Sequence, residues 1–282
     1  MLNENSSRSD AGSVLVLGIY LSDQLNNVEE IVRNFNASNN WHVRQKWIAI
    51  GKEAVSEAVQ NATSQRLQKC LPKFVLLNKM LAHEDLAKYD FIIFCDDDIT
   101  MRDGFLDDYL GYVVKYDFAL AQPARTPDSY IDHYIVKQVA GLQARRTRFV
   151  EIGPLFSVRR DIFPYFFPFA ESSPMGWGYD FVWPCLIESL RLRMGIVDAT
   201  PVEHSLRKPV KNYNLDEACK TRNNYLSENR HLSRSKAFSM LEAYGYLKLA
   251  DQLKLKGRNL AFGRFENVTG RILNIARLFR KR

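Results

Sequence analysis

Three consecutive aspartates, Asp96, Asp97 and Asp98, follow directly on the bulky apolar run Phe91-Ile92-Ile93-Phe94-Cys95. In an extended chain, residues two apart share a face, roughly 6.5–7 Å apart along the strand. Asp96 and Asp98 can therefore converge on one hard cation while Asp97 turns to the other side. Mg2+ or Mn2+ is commonly held in this way, by one or two carboxylates together with a substrate diphosphate. The alternative is an acidic, solvated turn, since aspartate favours turns. An apolar strand running straight into three carboxylates is electrostatically awkward without a cation, which favours the metal.

A second group lies in Pro-Met-Gly-Trp-Gly-Tyr-Asp-Phe-Val-Trp-Pro, residues 174–184. Gly176 and Gly178 flank Trp177, allowing close backbone approach and leaving the indole to form a wall. Sugars stack their apolar faces on such rings and donate hydrogen bonds to carboxylates. Asp180 follows at once, and it can serve as a general base if a hydroxyl comes within hydrogen-bond reach. The plainer reading makes Asp180 a helix N-cap, a favoured position for aspartate, and Trp177 a core residue. His204, just beyond the apolar stretch at residues 195–197, could complete the coordination begun by the aspartates or be a structural histidine. Glu151 precedes Ile152-Gly153-Pro154, where the backbone could approach a ligand. Lys73 and Lys79 could meet phosphates, although facing water is the simpler expectation.

These residues need elements to hold them. Residues 13–20 form a near-continuous apolar run interrupted only by a glycine, which suits a buried parallel strand. Val28, Ile31, Val32 and Phe35 recur at helical spacing over residues 26–35. Residues 41–50 return to a strand pattern, and a helical region is expected from there through Leu81. Residues 91–95 are the next strand. Residues 119–199 mix short strands with loops rich in proline, glycine and aromatics, and residues 216–256 read as helical. Strands alternating with helices imply βαβ units, a mostly parallel central sheet and a ligand site at the carboxyl ends of its strands.

The 282 residues are 46% hydrophobic and 25% charged, which excludes wholesale disorder. No run is long enough to span a bilayer. The polar start lacks the apolar stretch of a secretory signal, so the Asn-x-Ser/Thr triplets at Asn5, Asn36, Asn61 and Asn267 carry little weight. Cys70, Cys95, Cys185 and Cys219 lie far apart with no Cys-x-x-Cys pair, which points to a reducing, cytoplasmic setting. Residues 254–282 carry nine Lys/Arg against Glu266, a net +8, while the whole chain is +7, leaving −1 for residues 1–253. The basic character belongs to the tail. There Phe265, Val268, Ile272, Ile275 and Phe279 recur every three to four residues among arginines. Such a helix can lie on anionic lipid, at about 1 kcal/mol per basic residue, or pack on the body with its basic face in water. The expected organisation is a disordered leader over 1–12, a catalytic body over 13–210 and a helical basic extension over 211–282.

Taken together, LVLGIY, KYDFIIFCDDDI, ALAQPA, FVEIGPLFS, GWGYDF and MGIVDATPVEH, in that order over about residues 14–205, resemble the family labelled domain of unknown function seven-hundred-seven. That family is itself considered similar to GT-A-fold nucleotide-sugar glycosyltransferases. The resemblance implies a GT-A-like α/β fold and a sugar transfer dependent on Mn2+ or Mg2+. It implies that Asp98 and His204 hold the cation and that Asp96 contacts the cation or the donor ribose, with Asp97 beside it in the cofactor site. GWGYD is similar to the Gly-Trp-Gly segment of galactosyltransferases. Those enzymes carry two acidic residues after a further glycine, where this chain has Tyr179 and Asp180. The likeness implies Asp180 as catalytic base, with Trp177, Gly178 and Glu151 lining the substrate site.

The reaction so implied passes a sugar from a nucleotide-sugar donor to a hydroxyl of a glycan or lipid-linked acceptor. A single base on the acceptor side implies inversion, and a membrane-surface tail fits cell-surface polysaccharide synthesis at the inner face of the cell membrane. Two other classes compete. Clustered aspartates and a basic tail also fit a metal-dependent phosphoryl-transfer enzyme or nuclease. Against it, the body is slightly acidic and has no basic stripe, so no nucleic acid partner is expected. A non-catalytic carbohydrate-binding protein would have no use for the acidic cluster and Asp180.

Overall fold

The computed structural model describes residues 11–207 and 215–245. The basic tail at 264–282 and all but the end of the expected leader lie outside them.

Nine strands form one sheet: β1 Gly12–Leu21, β2 Trp41–Ile50, β3 Thr63–Leu67, β4 Phe91–Asp96, β5 Phe118–Arg125, β6 Leu142–Thr147, β7 Leu155–Arg159, β8 Arg193–Val202 and β9 Met240–Gly245. Their order is β3-β2-β1-β4-β7-β5-β8-β6-β9. The first four are parallel, as is the β5–β8 pair, whereas β7 runs antiparallel to both β4 and β5, and β6 runs antiparallel to β8 and β9. The parallel half behaves as its apolar runs predict. In β1, Val14 and Val16 pack into one buried cluster, and Leu15 and Leu17 into the other. A strand covered on both faces has no polar side to show.

Helices cover both faces. α1 Val28–Asn36 and α4 Phe105–Lys115 lie on the side of Val14, through Val28, Ile31, Val32 and Phe35 and through Phe105, Leu106, Tyr109 and Leu110. α3 Lys73–Leu81 and α6 Tyr179–Ser189 cover the opposite side, through Phe74, Leu77, Tyr179, Trp183 and Ile187. Each such side chain taken fully out of water contributes about 1.5–3 kcal/mol. Among the described residues no helix is long and apolar enough to cross a membrane.

Two stretches depart from the expectation. The region between β2 and Leu81 is not helical throughout: α2 Glu57–Ala62 is followed by the edge strand β3, and α3 begins only at Lys73. Thr-Ser-Gln-Arg-Leu is half-exposed and polar because it pairs on one side only, so it lacks the apolar signature of an inner strand. The helical reading of residues 216–256 holds for α7 Leu215–Glu228 and the short α8 Arg234–Ala237, then gives way to β9. β9 extends the central sheet by pairing with β6. Its burial alternates between half-buried and exposed, so although Met240, Leu241, Ala243 and Tyr244 are apolar, none of them is fully buried.

Candidate functional site

The aspartates stand where β4 ends beside the end of β1, at the carboxyl edge of the parallel half. The three carboxylates diverge. Asp97 is buried, and its Oδ2 accepts the Leu21 amide at 2.7 Å while its Oδ1 pairs with the Arg207 guanidinium. Its backbone carbonyl accepts the Asn27 amide at 2.7 Å, so the residue ties β1, β4 and the start of α1 together. Burial pushes its carboxyl up to about 6, against the pull of Arg207 and the Leu21 amide. Both Asp97 oxygens are thus occupied within the chain.

Asp96 and Asp98 do not face one another's partners. The Asp96 Oδ1 pairs with Lys73 Nζ at 2.6 Å, and that ammonium also donates to the Ile152 carbonyl at 3.2 Å. Asp98 turns to His204: its Oδ1 lies 3.2 Å from Nε2, and its Oδ2 lies 3.4 Å from Arg207 Nη2. Burial raises the Asp98 carboxyl, but His204 and Arg207 outweigh it and the net direction is down. His204 is held by its backbone. Its amide donates to Ser129 Oγ at 2.9 Å, its carbonyl accepts the Tyr130 amide at 2.9 Å, and Glu203 exchanges backbone hydrogen bonds with Thr100. Its Nδ1 is buried without a partner.

Among the described residues no group of three or more His, Cys, Asp or Glu is arranged to hold a metal ion. Asp98 and His204 nonetheless offer a fitting pair. Neighbouring donor atoms at about 2.1 Å in an octahedral shell lie about 3 Å apart, which matches the Asp98–His204 separation. A hard carboxylate oxygen and an imidazole nitrogen also suit Mn2+, and ions of this kind keep further positions for water and phosphate oxygens. The electrostatic case for a metal is weaker than the sequence alone makes it. Lys73 and Arg207 already neutralise much of the aspartate charge.

The loop after Val150 connects this cluster to the second group. Gly153 lies over the Asp96–Lys73 pair so closely that a Cβ there would fall 2.9 Å from Asp96 Oδ2 and 3.0 Å from Lys73 Nζ. Arg125, at the end of β5, donates to the Gly153 carbonyl at 3.0 Å and to the Tyr130 carbonyl at 2.7 Å, and pairs with Glu151. Glu151 is buried; burial pushes its carboxyl up against the pull of Arg125, and the charge of Asp180 acts on it as well. Glu151 thus stands as an internal partner of Arg125, within electrostatic reach of Asp180.

Asp180 is not an N-cap. Gly178, with φ +103°, caps α6, and Asp180 is the second residue of the helix. Gly176 also has positive φ, +78°, and lies against the Phe74 ring so closely that a Cβ would meet it at 2.0 Å. The turn is fixed from below by Tyr179, which stacks on Trp183 at 5.4 Å and donates to the Ala170 carbonyl at 2.9 Å. From the side, α7 brings Tyr225 edge-on to Tyr179 at 5.0 Å. The Arg222 guanidinium lies 6.0 Å from the centre of the Trp177 ring, which is half-buried. Asp180 is only 8% exposed and its Oδ1 has no hydrogen-bond partner. Burial pushes the carboxyl up to about 7, although backbone amides at the helix start pull it down.

The structure therefore brings Asp98 to His204, Asp96 to Lys73, and Glu151 within reach of Asp180. Arg207 and Arg125 are the functional neighbours that sequence reasoning misses. Arg125 has a signal, a lone cation closing the apolar strand Phe-Ala-Leu-Ala-Gln-Pro-Ala-Arg; Arg207 has only its place three residues after His204.

No family model and no curated protein matches the chain, so the resemblance to domain of unknown function seven-hundred-seven stands on its motifs alone. Solved structures do match. GalNAc-T7 with UDP, GalNAc and Mn2+ superposes with a TM-score of 0.50 at 10% identity, over 73% of this chain and 45% of that one. A mannosyltransferase, PcManGT from Pyrobaculum calidifontis, in complex with GDP-Man and Mn2+, gives a TM-score of 0.44 at 16% identity, over 66% of this chain and 56% of that one. The chain spans about half the length of these structures. At such identities the likeness is one of fold: this is an α/β chain of the GT-A-like class.

Proposed function

We propose that this chain is a divalent-metal-dependent glycosyltransferase of the domain of unknown function seven-hundred-seven type. It would move a sugar from a nucleotide-sugar donor to a hydroxyl of a glycan or lipid-linked acceptor, with inversion, in cell-surface polysaccharide synthesis. The observation that carries the reading is the pairing of Asp98 with His204 at the carboxyl edge of the parallel strands, with a buried carboxylate bearing an unpartnered oxygen, Asp180, linked to that edge through Glu151 and the Gly153 loop. GalNAc-T7, which shares the fold, was solved with UDP, GalNAc and Mn2+, which supports the same donor class here.

Asp98 and His204 would hold Mn2+ or Mg2+, with Asp96 turned toward the ion or the donor ribose. An ion so held supplies positive charge to the departing diphosphate. Trp177 and Gly178 wall the acceptor side. There the acceptor oxygen forms its bond to the anomeric carbon as the bond to the diphosphate oxygen breaks, through an oxocarbenium-like state. The hydroxyl proton passes to Asp180. A base with a pKa of about 7 is matched to a neutral medium, being partly ionised and still able to keep the proton it takes. Glu151, locked to Arg125, shapes the wall beside it.

The catalytic body proposed from the sequence, residues 13–210, takes in α7 and β9 as well, since Tyr225 packs on Tyr179 and β9 pairs with β6; the basic end, 264–282, rests on anionic lipid at the cytoplasmic face, and no nucleic acid partner is proposed. Asp180→Asn tests the chemistry. Turnover should fall by at least about a thousandfold, within the range seen when a base acts in concert with positioning, while donor affinity stays within about twofold. Turnover like that of the wild type would remove Asp180 from the mechanism.

A further inference from the structure

Arg207 has no role in the transfer described above, yet it reaches two of the three aspartates at the site. Its Nη1 donates to the Leu25 carbonyl at 2.8 Å, and its Nη2 lies between Asp97 Oδ1 and Asp98 Oδ2, the latter at 3.4 Å. The side chain is 15% exposed and its Nε is buried without a partner. Asp97 has its other oxygen on the Leu21 amide, and Asp98 has its other oxygen on His204. The guanidinium is thus anchored on one side by a residue that does not face His204. On the other side it reaches the same carboxylate that His204 faces.

We infer that Arg207 is a built-in counter-ion of the metal site, which occupies Asp98 when no metal is present and is driven off Asp98, while remaining on Asp97, when a divalent cation binds. The inference rests on the reading of Asp98 and His204 as the residues that hold the ion. A guanidinium stays charged at any pH the protein meets. A dication arriving between Asp98 and His204 therefore meets a fixed positive charge within a few ångströms. It must also win Asp98 Oδ2 from an existing ion pair. Both effects weaken binding of the free ion. Asp97 and the Leu25 carbonyl keep the guanidinium close enough for the repulsion to persist after displacement. Lys73 differs: it pairs with Asp96, and its second hydrogen bond goes to the loop carbonyl of Ile152.

The test uses the full-length chain and Mn2+ alone, with free Mn2+ followed by its electron paramagnetic resonance signal and no substrate present. Arg207→Gln and Arg207→Met, each checked for folding by circular dichroism, should bind Mn2+ at least about tenfold more tightly than the wild type, given the size of charge–charge terms at this range. Arg207→Lys, which keeps the charge, should stay within about threefold of the wild type. Unchanged or weaker Mn2+ binding in the two neutral variants would overturn the inference, as would tightening in Arg207→Lys equal to theirs. If neither the wild type nor the variants bind Mn2+, the inference falls together with the metal site. Nucleotide-sugar turnover by the wild type, measured separately, then decides whether the transferase reading survives without a metal.

Discussion

A buried acid with an unpartnered oxygen is a cost to the fold, and Asp180 is such a group. In the unfolded chain its carboxyl ionises near its ordinary value of 3.8, and in the native protein near 7. Between these pH values the unfolded chain has released a proton that the native protein still holds, so stability falls as pH rises through that window. Asp180→Asn removes the ionisation, and at pH 8 the variant should be the more stable protein, by on the order of 2 kcal/mol in chemical denaturation. A variant less stable than the wild type at pH 8 would mean that the carboxylate is satisfied by contacts inside the fold. Wild-type turnover, in turn, should rise with pH and level off above about 7 as the base ionises. Arg125 is the opposite case. Replacing it by Met strips the buried Glu151 of its counter-charge and should destabilise the protein by about 3 kcal/mol, read from the urea midpoint. At this scale Asp98, Asp180 and Trp177 stand out as candidates in the sequence because residue type and local motif coincide there. The sequence is silent where a partner comes from far along the chain. Arg207 meets Asp97 across 110 residues, and nothing in its own neighbourhood announces the meeting.

Elements place these groups, and the turn before α6 is the tightest constraint among them. Gly176 combines positive φ with a backbone pressed on Phe74, so Gly176→Ala should lose about 2 kcal/mol or more and loosen the Trp177 wall. Stability measured by urea unfolding, with turnover at saturating donor, checks both effects; a neutral substitution would show that the turn has slack. The inner strands β1, β2 and β4 and the helix α1 were legible because burial on one or two faces leaves an apolar pattern of period two or 3.6. The strands β3 and β9 were not. Both sit at the ends of the sheet, pair on one side and keep exposed residues; β3 is polar, and the apolar residues of β9 fit a helix as well as a strand over so short a run. The antiparallel insertion of β7 between β4 and β5 was equally hidden, since pairing partners are set by packing at long range and not by local composition.

At the scale of the whole molecule, a sheet covered on both faces leaves its carboxyl edge as the place where charged groups can gather, and Asp96 to Asp98, His204 and Arg207 gather there. Residues 264–282 carry six Lys/Arg against Glu266, a net +5, so the membrane association proposed for them is separable from the rest of the chain. Full-length protein should co-sediment with vesicles containing anionic lipid, and the attraction should weaken with added salt. A chain ending at residue 263 should stay in solution with its turnover intact; equal sedimentation of the two would show that the tail is not the anchor.

If Asp98 and His204 grip a divalent ion through which a nucleotide sugar is held, ligand-induced stabilisation reads it directly. A ligand that binds only the native state raises the unfolding temperature more the tighter it binds. Thermal unfolding of the wild type across a panel of nucleoside diphosphates and nucleotide sugars, with and without Mn2+, should therefore reveal a preferred donor that raises Tm only when Mn2+ is present. The rise should vanish in His204→Ala. A panel in which no nucleotide sugar stabilises the protein, or in which stabilisation is the same without the metal, would contradict the account.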